Sequence, residues 1–471
     1  MKLLIKFVAV CLAASGSSEA ADPATNVIVF LVDDLGWRDL GCQGSEFYQT
    51  PNIDRLASEG VRFTNAYAAC AVCSPTRASL LTGKYPARLM LTQWLPAGRW
   101  DAKTKLKQEG RFLRSLPLEE LTLAEALRKE GYTALHVGKW HLGGPPISLP
   151  EQHGFDVNVG GSYHGAPGGY FFPYQGDWVL PTTDQAIQKT TLPDGKEGEY
   201  LTDRLTDEAI SLLKEYHGGP FFLYFPFYAV HTPLQGKKEL VDHYRAMSEE
   251  ERQGNPVYAA MVETLDQNVG RVLATIESLG LKENTLIVFT SDNGGFAGAT
   301  DHAPLRANKG SHYEGGIRVP LIIAGPRVRA GAVSEVPTIS ADLYPTILEM
   351  AGLPARPLQH LDGASLAAHL TEGSSVERES LFWHYPHYNR HPENAPVSII
   401  RKGHWKLIEF LETGDLELYD LESDIGESIN LVESDPEKVE ELKAEVDAWK
   451  TEVGADPMRD NPAYEGSAKS R

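Results

Sequence analysis

Apolar runs alternate with stretches of helical periodicity along the first three quarters of the chain. Residues 26–32 (Asn-Val-Ile-Val-Phe-Leu-Val) carry no alternation of polar and apolar positions, which is the pattern of a strand buried on both faces. Similar runs fall at 132–137, 221–225, 285–290 and 320–324. Helical patterns lie between them, at 52–59 ahead of Gly60, at 122–130 ahead of Gly131, at 201–216, and at 257–279 ahead of Gly280. This order predicts an α/β fold with a large mixed, mostly parallel sheet sandwiched by helices. From about residue 354 the pattern changes. Short runs at 381–385, 397–401, 405–410 and 416–419 predict a small antiparallel sheet, and 435–453 a charged helix with Pro436 in its first turn and Gly454 after it. The expected organisation is an α/β domain over 21–355 and a C-terminal subdomain over 356–471, with a loose tail after 457.

The polar residues that follow these strands carry the first chemical signal. The apolar runs deliver Asp33 and Asp34, then Lys139 and His141, then His231, then Asp292 and Asn293. In open α/β sheets the carboxyl edge of the strands is where ligands bind. The Gly- and Pro-rich stretches 143–176 and 294–316 are expected to rim that edge. Asp33, Asp34, Asp292 and Asn293 are hard oxygen donors, suited to Ca²⁺ or Mg²⁺. Without a cation, clustered carboxylates would raise one another's pKa. Asp292-Asn293-Gly294 alone is also what a tight turn uses, whereas adjacent Asp33 and Asp34 at the end of a buried strand require a partner.

A second signal lies at Cys73-Ser74-Pro75-Thr76-Arg77-Ala78-Ser79-Leu80-Leu81-Thr82-Gly83. Pro75 suits a first helical turn and 76–81 reads as a helix, so Cys73 is expected at a helix N-terminus with Arg77 one turn on. Free backbone N–H groups there favour an anion; the same residues also fit a buried cysteine before an ordinary helix. The segment resembles the signature of the type I, formylglycine-dependent sulfatases of the alkaline-phosphatase superfamily. The resemblance extends to Gly138-Lys139-Trp140-His141-Leu142-Gly143, to His231-Thr232-Pro233, and to Asn308-Lys309-Gly310 ahead of 313–320. It implies hydrolysis of sulfate esters. Cys73 would be oxidised to formylglycine (3-oxoalanine), and Asp33, Asp34, Asp292, Asn293 and residue 73 would hold a divalent cation, usually calcium. It implies that Arg77 favours the ionised nucleophile, Lys139 and Lys309 stabilise the sulfuryl oxygens, His231 protonates the leaving oxygen, and His141 takes the proton that allows sulfate to leave. Relatives that cleave phosphate or phosphonate esters are the alternative, but they use Ser or Thr as nucleophile where this chain has Cys73. A non-catalytic secreted glycan-binding protein is the third reading, and it leaves the lysines and histidines without a purpose.

The charge and the termini add an address. A net charge of −20 argues against nucleic acid and anionic membranes as partners, so the cations that receive an anionic substrate must be gathered locally. Residues 1–20 read as a secretory signal, with Lys2 and Lys6, an apolar run at 7–14 and Ser18-Glu19-Ala20. That run is too short to span a bilayer, so export to periplasm or medium without a stable anchor is expected. The implied partners are a sulfated carbohydrate and a formylglycine-generating or anaerobic maturation enzyme. Tyr163, His164, Arg306 and His384 are the expected substrate contacts, while His153, His217 and His404 are expected to be structural. Cys42 and Cys70 either pair or remain buried thiols.

Overall fold

A computed structural model describes residues 25–96, 102–144, 148–174, 179–180, 185–186, 192 and 195–465. The signal sequence expected at 1–20 lies outside the described residues. Eight strands form the main sheet: β1 (Asn26–Val32), β2 (Gly60–Phe63), β3 (Thr133–Val137), β4 (Val157–Val159), β5 (Phe221–Pro226), β6 (Thr285–Ser291), β7 (Leu321–Ala324) and β8 (Ala332–Ser334). Their order is β8-β2-β7-β6-β1-β5-β3-β4. Only β7 runs against the rest, so the sheet is mixed and mostly parallel, as the alternation implies. Strands β2 (Gly-Val-Arg-Phe), β4 (Val-Asn-Val) and β8 (Ala-Val-Ser) escape the hydrophobic pattern because each is short and interrupted or ended by a polar residue or glycine, unlike the equally short but wholly apolar β7.

Every residue of β1 is buried. Ile28, Phe30 and Val32 face a core built with helices α1 (Pro51–Ser58), α4 (Leu201–Tyr216) and α5 (Pro256–Ser278). Val27, Val29 and Leu31 face the opposite core, with α2 (Cys73–Thr82), α3 (Leu123–Lys129) and α6 (Leu343–Met350). Burial on both faces is why the run shows no alternation.

The C-terminal sheet is antiparallel, in the order β9 (Ser380–Tyr385), β10 (Val397–Lys402), β11 (Trp405–Phe410), β12 (Leu416–Asp420), and α7 (Pro436–Val453) packs with it. Their shared core includes Tyr67, Cys70 and Val72, so this sheet rests directly on the segment that leads into α2. The tail is less loose than the sequence suggests, since Arg459–Asp460 pairs with Lys107–Gln108. Among the described residues no helix is long and apolar enough to cross a membrane.

Candidate active site

The central parallel strands end in step. Val32 lies opposite Ser291 and Leu31 opposite Pro226, so the residues that follow β1, β5 and β6 emerge at one level. Backbone bonds then knit these loops together: Asp292 N donates to Val32 O at 3.0 Å, Val230 N to Asp33 O at 2.8 Å, and Lys139 N to Pro226 O at 2.7 Å. This brings Asp33, Asp34, Lys139, His231, Asp292 and Asn293 into one cluster from four strand ends. Helix α2 supplies Cys73 as its first residue, one turn earlier than the expected start at 76, and closes at Gly83 in the left-handed conformation. All ten of its residues are buried.

Charges in the cluster are matched one against one. Lys139 Nζ reaches Asp33 Oδ2 at 2.7 Å, and Lys309 Nζ reaches Asp34 at 2.6 Å. Arg77 places Nε and Nη2 on Asp292 Oδ2 at 2.9 and 2.7 Å and donates through Nη1 to the Lys139 carbonyl. Cys73 Sγ lies 3.6 Å from Asp33 Oδ1 and 3.7 Å from Lys309 Nζ, and His231 Nε2 lies 3.7 Å from Asp34 Oδ2.

Burial and crowding raise Asp33 to about 8, with Asp292 and Asp34 adding to the rise against Lys139. Burial works the same way on Asp34, but Lys309 and His231 outweigh it and hold that carboxyl below the usual carboxylate range. Burial pushes the Cys73 thiol up to about 12, so the unmodified side chain is a poor thiolate nucleophile. Burial and the Lys309 charge lower His231 to about 3, and burial and Lys139 lower His141 well below the ordinary histidine value.

Two atoms stand out as unsatisfied. Asn293 donates through Nδ2 to Asp34 Oδ1 at 2.8 Å, yet its Oδ1 is buried and has no hydrogen-bond partner. A buried amide oxygen without a donor is costly unless something else fills it. Ligand atoms of Asp33, Asp34, Cys73 and His231 all lie within 4.8 Å of one another. The carboxylates of Asp33 and Asp34 and the unpartnered amide oxygen of Asn293 are oxygen donors of the kind a hard divalent cation takes, and a cation beside Asp33 would relieve the crowding that raises it. The second atom is His141 Nδ1. His141 Nε2 faces the Leu95 carbonyl, which can only accept, so Nε2 carries the proton and buried Nδ1 keeps its lone pair without a partner. Asp34 and His141 also hold left-handed backbone, at φ 64° and 61°, a conformation that side chains other than glycine adopt at a cost.

The outer residues divide. His164 belongs to the rim: its neighbour Gly165 packs so closely on His141 that a Cβ there would meet the imidazole at 2.5 Å. Tyr163 lies against His164 at 6.0 Å between ring centroids. Arg306 and His384 correct the sequence reading. Arg306 is engaged by Glu393, Tyr419 and the Glu427 carbonyl and stacks 3.7 Å over the Tyr313 ring. His384 is buried in β9, with one ring nitrogen on Ser398 Oγ and the other on the Asp456 carbonyl. Its position on the strand turns it toward α7 instead of the cluster. His153 and His217 bond to Ser148 and the Lys214 carbonyl, and His404 lies beside Glu422, all away from the site. Cys42 and Cys70 are free thiols, with His312 beside Cys70 at 3.7 Å. The carbonyl of Leu95 is a site element that sequence reading missed, because a backbone oxygen has no letter of its own.

Comparison with known proteins agrees with this geometry. The Sulfatase family model matches residues 25–353, and the model for the N-sulphoglucosamine sulphohydrolase C-terminal region matches 307–452. A sulfatase from Formosa agariphila is 35% identical over 497 residues, covering 90% of this chain and 87% of the relative. The N-acetylgalactosamine-6-sulfatase of Mus musculus is 32% identical over 401 residues, covering 81% of this chain and 72% of the relative. The crystal structure of Ps i-CgsB in complex with k-i-k-neocarrahexaose superposes with a TM-score of 0.76 at 28% identity, covering 94% of this chain and 95% of that one. The chain therefore belongs to the sulfatase family of the alkaline-phosphatase superfamily and is a sulfuric-ester hydrolase.

Proposed function

We infer that the protein removes sulfate from a sulfated carbohydrate, with residue 73 acting as formylglycine beside a bound divalent cation, Ca²⁺ in preference to Mg²⁺. The observation that carries this reading is the cluster itself. Cys73 sits at a helix start within 3.7 Å of both an aspartate and a lysine, and its sulfur belongs to the group of ligand atoms from Asp33, Asp34 and His231 that lie within 4.8 Å of one another. The carbohydrate assignment is supported by relatives named for N-acetylgalactosamine-6-sulfate and by the neocarrahexaose complex.

Asp33, Asp34, Asp292 and Asn293, with residue 73, would hold the cation, which supplies charge to bind a sulfuryl oxygen and to keep a hydroxyl at residue 73 ionised. Formylglycine supplies a hydrated aldehyde, the nucleophile toward sulfur. Lys139 and Lys309 bring positive charge to the sulfuryl oxygens. Burial opposes the charge on Lys309, but Asp34 and Cys73 outweigh it and hold Lys309 above the usual lysine range. Arg77 spans Asp292 and the Lys139 carbonyl and so fixes the lysine relative to the cation ligands. His231 Nδ1 lies 2.7 Å from the Thr232 carbonyl and donates to it, which leaves Nε2, 3.7 Å from Asp34 Oδ2, to handle the leaving-group proton. His141, whose Nδ1 is a free acceptor, takes the proton that accompanies release of sulfate. His164 is assigned to a hydroxyl contact at the rim.

The same reading places a signal sequence at 1–20, a catalytic domain at 21–355 and a C-terminal subdomain at 356–471, with export to periplasm or medium and maturation by a formylglycine-generating or anaerobic enzyme. The test is co-expression with such an enzyme. The residue 73 peptide should become about 18 Da lighter, and the protein should release inorganic sulfate from N-acetylgalactosamine 6-sulfate or carrageenan oligosaccharides. An aldehyde-bearing protein that releases sulfate from an aryl sulfate but from no sulfated sugar would overturn the carbohydrate assignment.

A further inference from the structure

Lys309 is presented by a loop that closes on itself through Gly315 N on the Arg306 carbonyl at 2.8 Å and Ser311 N on the Asn308 carbonyl at 3.0 Å. Its inner side is tied to the site: Lys309 N donates to the Gly295 carbonyl at 2.9 Å and Gly310 N to the Ala71 carbonyl at 2.8 Å. Its outer side is held mainly from the C-terminal segment, while Tyr67 Oη donates to Glu314 Oε2 at 2.6 Å and Ala71 N to His312 Nε2 at 3.4 Å. The Gly310 carbonyl accepts from Asn389 Nδ2 at 2.8 Å and Asn394 Nδ2 at 2.9 Å. The His312 carbonyl accepts from Lys406 Nζ at 3.0 Å, and Glu314 N donates to Glu427 Oε2 at 2.6 Å. Lys406 also bridges Glu314 and Glu427, at 3.0 and 2.7 Å, and all three side chains are almost completely buried. Arg306, at the start of the loop, bonds the Glu427 carbonyl and Tyr419 from the same side.

A buried ionic triad of this kind gives little stability over a well-packed apolar core, whereas it does impose one geometry on the groups it bonds. All of these bonds fall on a stretch of nine residues, 306–314, with Lys309 in its middle. Gly310 fits the same reading: at φ 85° it lies so close to His391 that a Cβ would meet that side chain at 2.4 Å.

We propose that the C-terminal sheet is a clamp for the Lys309 loop, and that Asn389, Asn394, Lys406 and Glu427 are positioning residues that keep the Lys309 ammonium on Asp34 and residue 73. The proposal rests on the assignment of Lys309 to the sulfate-binding cluster. It makes the C-terminal segment part of the active site although none of its described residues bonds to the cluster side chains, and it gives Arg306 a role in place of substrate contact.

The test pairs two readouts on the full chain. In the Asn389→Ala/Asn394→Ala double variant, hydrogen exchange of amides 309–313 should quicken at least about tenfold, while α5 is unchanged and the melting temperature stays within about 3 °C. In the matured enzyme acting on 4-nitrocatechol sulfate, the same variant should lose kcat by about ten- to a hundredfold, as a misplaced group does, with KM little changed. The loss should vanish in a Lys309→Ala background, because two substitutions acting through one group do not add. Lys406→Met should show the same faster exchange at 309–313 and the same non-additive loss with Lys309→Ala, together with a lower melting temperature because Glu314 and Glu427 lose their buried cation. Unchanged exchange at 309–313, or losses that multiply fully in the Lys309→Ala background, would overturn the clamp. A wild-type protein that cleaves no sulfate ester counts against the proposed function instead, and the exchange experiment still decides the clamp.

Discussion

The most informative residues are those whose atoms are left unsatisfied. Asn293 turns its nitrogen to Asp34 and keeps its oxygen bare, and His141 spends Nε2 on Leu95 and keeps Nδ1 bare. Replacing Asn293 with Leu, which removes the oxygen and retains the volume, is expected to weaken Ca²⁺ binding by at least about tenfold; calcium titration by calorimetry checks this. Cys73→Ser and Cys73→Ala, which remove the precursor of the nucleophile, are expected to lower the rate of sulfate release by on the order of a thousandfold or more, with the fold retained in circular dichroism. The cluster residues were legible in the sequence because each stands directly after an apolar run or inside an unbroken motif. The rim was not. Arg306 and His384 have the composition of substrate contacts, but only tertiary packing shows that the Tyr313 ring, the Tyr419 hydroxyl, the Glu393 carboxylate and the Glu427 carbonyl engage the first and that Ser398 and the Asp456 carbonyl occupy the second.

Among the elements, the long ones were legible and the short ones were not. Strands β1, β5 and β6 and helices α4 and α5 follow from pattern alone, since burial on both faces or a helical stripe leaves a strong period. Strand β7 has a readable apolar run, but nothing in its letters shows that it runs against its neighbours. The edge of β9 shows how a strand position decides a role: alternate residues point to opposite faces, so Tyr385 stacks on His312 while His384 turns to the helix side. His384→Ala should therefore leave kcat/KM within about twofold and cost about 1–3 kcal/mol of stability by orphaning Ser398 and the Asp456 carbonyl. Urea unfolding beside steady-state kinetics separates the two effects.

At the scale of the whole molecule, buried titratable groups set the pH response. His136, His153, His231, His312, His384 and His387 are lowered by burial to about 3 or 4, and His141 is lowered too. Their contribution is full above pH 6.5 and is lost as the pH falls, because the unfolded chain then binds protons that the folded chain refuses. Asp33, Asp39, Glu109, Asp266 and Glu427 are raised by burial to between about 6 and 8, and their contribution is full below the ordinary carboxylate range of about 4 and is lost as the pH climbs from there through the raised values. Stability of the metal-free protein is therefore expected to peak near about pH 6. Added Ca²⁺ should raise the melting temperature by a few degrees and flatten the alkaline fall, since a cation beside Asp33 removes its reason to hold a proton. Melting curves from pH 4 to 9, with and without chelator, read both effects. The burial of α2 has a last consequence, which concerns timing. Cys73 is only 3% exposed, and the helix around it is sealed by two cores and the C-terminal sheet. Any catalyst that oxidises this side chain must therefore reach it before the chain closes around α2, so that modification and folding compete in time.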